Sequence, residues 1–253
     1  MTASSQDVLI AAGVCVRMVA AVCTGTLPIV EGVSLRIRLA LAAALAVVAV
    51  PIATKMPPLQ PDTGTAIVLA GEAFVGLAFG TAIAASLAAT AWAGGVLGTA
   101  SGLSWADDFA PAGDQQAAGV SRLAWWVGLA AFVAAGGQLA VVSGLVDTVR
   151  HVPVGAVGTA SVRDALVGLA VDLPAQAVAL AASLAMPALS AVLAFHLAAA
   201  ICVRTVSFVP GTGLLQGLAA VVLLVSLWLG LESWIHGGSA AVLAAVADCF
   251  RAR

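Results

Sequence analysis

Residues 65–92, TAIVLAGEAFVGLAFGTAIAASLAATAW, carry a lone charged side chain, Glu72, and no proline. At 1.5 Å per residue about 28 helical residues extend about 42 Å, whereas the hydrocarbon core of a bilayer is about 30 Å thick. The stretch therefore reads as a membrane helix longer than a perpendicular crossing requires. The rest of the chain agrees with it. Of its 253 residues 62% are apolar and 9% charged, with a mean hydropathy of +1.12. Soluble domains carry about 45–50% apolar and about 25% charged residues. A formal net charge of −2 leaves no basic field, so nucleic acid is excluded as a partner. The expected fold is all-α, an integral-membrane multi-helix protein forming a single domain over residues 1–253.

Working outward, further apolar stretches run from Val8 to Leu27 and from Ile37 to Ala53, the latter ending at Lys55 and the Pro57-Pro58-x-x-Pro61 turn. Proline forbids continuation of a helix there. A fourth stretch is expected over Leu123–Val146. A fifth, Ala165–Val203, is interrupted by Asp172, Pro174 and Pro187, and reads as one kinked element or a two-helix hairpin. A sixth covers Leu214–Leu231, with a weaker apolar tail to Phe250. Residues Met1–Asp7 contain no Lys or Arg, so the first stretch reads as an uncleaved span and not a signal peptide.

About six spans would place Lys55, Arg150, Arg163, Arg251 and Arg253 on one side and Arg36, Arg38, Arg122 and Arg204 on the other. That near balance gives no orientation, which suits a chain seated unlike a conventional bundle. The six Trp lie mostly near span ends, where indoles meet headgroups. The four Cys show no C-x-x-C spacing and read as small packing residues, with no disulfide or metal site.

Arg17, Glu72 and Asp172 lie within apolar stretches. Each costs about 2.5–3.5 kcal/mol near a bilayer centre, so each should face protein or water. A contact between packed helices, for example Arg17 with Glu72, accounts for them better than a proton relay, which would need further acidic or His groups at helical spacing. The three His are scattered and form no ligand pair. Gly76-x-x-x-Gly80, and Gly94, Gly98 and Gly102, repeat at the four-residue spacing that lets helix backbones approach. No phosphate loop, H-E-x-x-H or G-x-S-x-G elbow occurs, and Gly98-Thr-Ala-Ser101-Gly102 lacks a His placed as base. No enzyme, metal or cofactor is expected.

The order of these features resembles the FliR/SctT family of flagellar and type III secretion export-gate proteins over about the first 205 residues. Arg17 in the opening helix, Arg36-Ile-Arg38-Leu-Ala-Leu leading into the second, and Glu72-Ala-Phe-Val-Gly76 followed by Gly80 carry the likeness. So do Ala93-Gly94-Gly95-Val-Leu97-Gly98-x-x-x-Gly102-Leu103, Phe132-x-x-x-Gly136-Gly137-Gln138, Val152-Pro153-Val-Gly155, Met186-Pro187 and Arg204. The chain departs from the pattern at Thr26 and Ser34, where prolines are usual, at Gln138, usually His, and after Arg204, where Val206–Val209 replace Pro-Gln-x-Asn.

The resemblance implies a subunit of a conical export gate in the bacterial inner membrane, at a flagellar or injectisome basal body. It implies FliP-like and FliQ-like partners, FlhB-like and FlhA-like components, and unfolded protein substrates. It also implies a channel plug at roughly Gly98–Gln116. Physically, Gly94, Gly98 and Gly102 can bend without side-chain cost, while Leu97, Leu103, Trp105 and Phe109 can supply an apolar seal. Arg17, Arg36, Arg38, Glu72, Gly76, Gly80, Pro187 and Arg204 are expected to be structural. The alternative is a small-solute or ion transporter of the inner membrane, but the matched halves that such proteins often carry are not found.

Overall fold

The computed structural model describes residues 3–23, 32–56, 64–103, 119–205, 211–230, 232 and 234. Most of these residues are helical, with no strand among them. The elements are α1 (Ala3–Cys23), α2 (Leu35–Ala53), α3 (Thr65–Ala100), α4 (Gly119–Ala134), α5 (Gly137–His151), a short 3-10 turn (Ala156–Gly158), α6 (Ala160–Thr205) and α7 (Thr212–Leu229). Four of them, α1, α2, α3 and α6, are long and apolar enough to cross a membrane, and the fold class is an all-α membrane protein.

Two elements differ from the sequence expectation, and a third settles an alternative the sequence leaves open. The third helix does not stop near Trp92 but runs 36 residues to Ala100, so Gly94 and Gly98 lie in its interior. Contact with α4 keeps that glycine-rich end helical. The expected fourth span is broken: α4 and α5 meet at a 70° bend. Gly136 adopts a left-handed φ of 78° there, a conformation that glycine reaches without steric cost. The fifth stretch, open between one kinked element and a two-helix hairpin, is the single element and not the hairpin. It is one helix of 46 residues containing both Pro174 and Pro187. Membrane helices tolerate such prolines where neighbouring groups satisfy the freed carbonyls.

The chain divides into two compact units. The first takes residues 1–85 and 136–175, with 242–253. In it α1 packs on α2, and α2 touches α5. Its interior is built from Val14, Met18 and Val22 of α1, Ala42, Ala46 and Ala49 of α2, Val75, Phe79 and Ile83 of α3, and Leu145 and Val149 of α5. The alanines matter because lipid tails are as apolar as leucine, so helices associate in membranes by close packing and not by hydrophobic drive.

The second unit takes residues 86–135 and 176–241. Its core joins Ala89, Ala93 and Leu97 of α3 and Ala124 of α4 to Leu184, Ala188 and Val192 of α6, with Leu223 of α7 and Trp234. Large apolar side chains also remain uncovered. Val47 and Val48 on α2, Leu193, Leu197 and Ile201 on α6, and Val221, Val225 and Trp228 on α7 are all at least half exposed. Such faces belong against lipid or another protein, not water.

Candidate functional site

The strongest polar feature lies inside the first unit. Arg17 and Glu72 are both fully buried. Arg17 Nε donates to Glu72 Oε2 at 2.6 Å, and Nη2 approaches the same oxygen. The remaining donors turn to the end of α5. Arg17 Nη1 donates to Thr148 O at 3.0 Å and reaches Thr148 Oγ1 at 3.4 Å, while Nη2 donates to Val152 O at 2.9 Å. The other carboxylate oxygen, Glu72 Oε1, accepts the Gly155 backbone N–H at 2.9 Å.

The two charges therefore fasten four pieces of chain: α1, α3, the last turn of α5, and the Val152–Gly155 turn. The polarity is ordered. A guanidinium belongs where a helix C-terminus presents unsatisfied carbonyls and partial negative charge. A carboxylate belongs opposite an amide N–H. Among the described residues no buried side-chain nitrogen or oxygen lacks a partner, which is what makes a buried charge pair tolerable.

Small residues let the backbones come this close. A Cβ on Gly76 would strike the Arg17 backbone oxygen and crowd Ala20 Cβ at 3.1 Å. Glycine is thus the residue that allows α1 to lie against α3 one turn from the ion pair. Gly80, the second small residue of that spacing, is also buried.

In the second unit, a Cβ on Gly94 would strike Ala124 Cβ, and one on Gly98 would meet Val120 Cβ at 3.2 Å. These two glycines seat α4 on α3. Leu97 between them is completely buried in the core, and Leu103 packs partly against it. Gly102, at φ 71°, ends α3. Its N–H donates to Thr99 O at 3.1 Å, and the Leu103 N–H reaches back to Gly98 O at 2.9 Å. This pair of bonds is the Schellman cap, which a left-handed glycine closes. Trp105 and Phe109 lie outside the described residues.

The remaining expected residues are dispersed. Arg36 is exposed at the start of α2, and the half-buried Arg38 donates from Nε to Val33 O at 2.9 Å. Pro187 and Arg204 are exposed on α6, as is Asp172, which does not join the buried pair. Sequence reasoning found both charges of the cluster but missed Thr148, Val152 and Gly155 as their partners. The contributing groups there are mainly backbone atoms, which leave no side-chain signature. The Val152-Pro153-Val154-Gly155 turn was visible only as a motif without a role.

Among known proteins, the sequence model of the family described as Bacterial export proteins, family 1, matches residues 8–243. No curated protein matches the chain.

Proposed function

Because this chain belongs to family 1 of the bacterial export proteins, we propose that it is a subunit of the export gate of a flagellar or type III secretion system. In this reading it lines part of the channel through which unfolded proteins cross the bacterial inner membrane at the basal body. It acts by assembly and gating, not as an enzyme. The observation that carries the reading is the family match over nearly the whole chain. The structure supplies physical support: a 46-residue helix extends about 69 Å, more than twice the hydrocarbon thickness, so lipid alone does not cover its apolar surface. FliP-like and FliQ-like subunits, with FlhB-like and FlhA-like components nearby, are the proposed cover.

Within the gate we assign the plug to the region following α3. Gly94, Leu97, Gly98, Gly102 and Leu103 form its base, and Trp105 and Phe109 its apolar part. Arg17, Glu72, Gly76 and Gly80 hold the first unit together, and Arg36, Arg38, Pro187 and Arg204 are structural positions on α2 and α6.

Co-expression of the tagged chain with its genomic neighbours tests the assembly. One detergent-stable complex containing FliP-like and FliQ-like subunits is expected, and a well-behaved monomer that ignores both would refute the reading. Deleting residues 103–109 should leave that complex assembled but leaky to ions. A leak equal to that of the intact complex would place the seal elsewhere.

A further inference from the structure

The last turn of α3 leaves four carbonyls to be satisfied, as every helix end does. Leu97 O accepts the Ser101 N–H at 2.9 Å, and the Schellman bonds take Gly98 O and Thr99 O. The Ser101 hydroxyl adds a donor to Leu97 O at 2.8 Å. Ala100 O is reached from a distant part of the chain: His196 Nε2, on α6, lies 3.2 Å from it. A carbonyl only accepts, so Nε2 carries the proton in this contact. The His196 ring also stands edge-on to Phe195, with centroids 5.5 Å apart.

His196 falls within the apolar stretch 162–205, where an ionisable side chain is rare and costly without a partner. A packing role alone would be met by leucine or phenylalanine. A ring N–H aimed at a helix-end carbonyl that no backbone N–H of the described residues claims accounts for a histidine there.

We infer that His196 is a positioning residue that completes the cap of α3 from α6 and fixes Ala100–Leu103 in place. The inference deepens the gate reading and rests on it for its functional consequence, since Leu103 is where the proposed plug departs from α3.

The test compares wild type with H196Q, which keeps a side-chain N–H donor, and H196F, which keeps an aromatic ring without one. Each is assembled with its co-expressed partners in membranes. Hydrogen exchange of the peptide covering residues 97–103 reads the cap directly. In H196F the Ser101, Gly102 and Leu103 amides should exchange about three- to tenfold faster, the loss of one net hydrogen bond. H196Q should stay near wild type. Unchanged exchange in H196F, or equal acceleration in both variants, would overturn the inference. Ion leak through the same membranes reads the gate separately. Faster exchange with an unaltered leak would uphold the cap and count against the plug assignment.

Discussion

Glu72→Gln keeps an acceptor near Gly155 but removes the charge that compensates Arg17, leaving a guanidinium at 0% exposure without a counter-ion. Breaking a buried pair by removing one partner costs about 3–5 kcal/mol, and a loss of that size is expected in reversible unfolding in mixed micelles. The structure makes a sharper statement about the exchanged pair. In the double variant Arg17→Glu/Glu72→Arg the two charges still face each other, and a simple ion pair would recover. Here it should not. A carboxylate at position 17 would confront Val152 O, and a guanidinium at position 72 would confront the Gly155 N–H. The Val152 carbonyl, buried and left unpaired, costs about 1–3 kcal/mol, and the part-buried Gly155 N–H adds less, so the swapped protein should remain at least about 1–3 kcal/mol below wild type. Thr148 O is not counted, because it also accepts the Val152 N–H. Recovery of the exchanged pair to less than about 1 kcal/mol from wild type, below the lower end of the Val152 cost, would refute the claim that the backbone dictates which charge sits on which helix.

Gly76→Ala should force α1 from α3 and cost about 1–3 kcal/mol by overpacking, whereas Gly168→Ala, whose added Cβ meets nothing within 4 Å, should gain about 0.8–1.0 kcal/mol of helix propensity. The same micelle unfolding measures both, and equal effects would contradict the packing described. Gly136→Ala has open space around it but a left-handed backbone, so about 1–2 kcal/mol of strain should appear as lowered stability with no change in side-chain packing.

Much of the fold is legible because apolar length is a robust signal. The start of α3 at Thr65 and the end of α2 at Ala53 fall where the sequence places them. The less legible places turn on glycine and proline, whose local preferences do not by themselves fix where an element ends. The four-residue spacing of Gly94 and Gly98 announces a helix contact, which α4 makes, but not that α3 extends to include them. Pro174 and Pro187 leave a single kinked element or a hairpin open, and α6 continues through both as one helix. Gly136-Gly137 looks like part of a span and is the bend. For Gly94 and Gly98 the deciding partner is α4, which no local window contains. The buried cluster shows the same limit, since Arg17 and Glu72 announce themselves by charge whereas the Val152 carbonyl is chemically identical to every other.

The separation of those partners along the chain also bears on how the protein is made. Arg17 is synthesised 55 residues before Glu72 and 135 before Val152. At about 5–20 residues per second the carboxylate follows the guanidinium by about 3–11 s, and the α5 carbonyls by about 7–27 s. Throughout that interval the first helix carries an unneutralised cation that hydrocarbon would penalise by about 2.5–3.5 kcal/mol. Early release of α1 into lipid is therefore disfavoured, and the helix should linger at the translocon, or in another wet, protein-lined niche, until later segments arrive. Helix α1 is thus made before its partners yet settles only with them, and a nascent chain stalled before Glu72 emerges should remain crosslinkable to the insertion machinery.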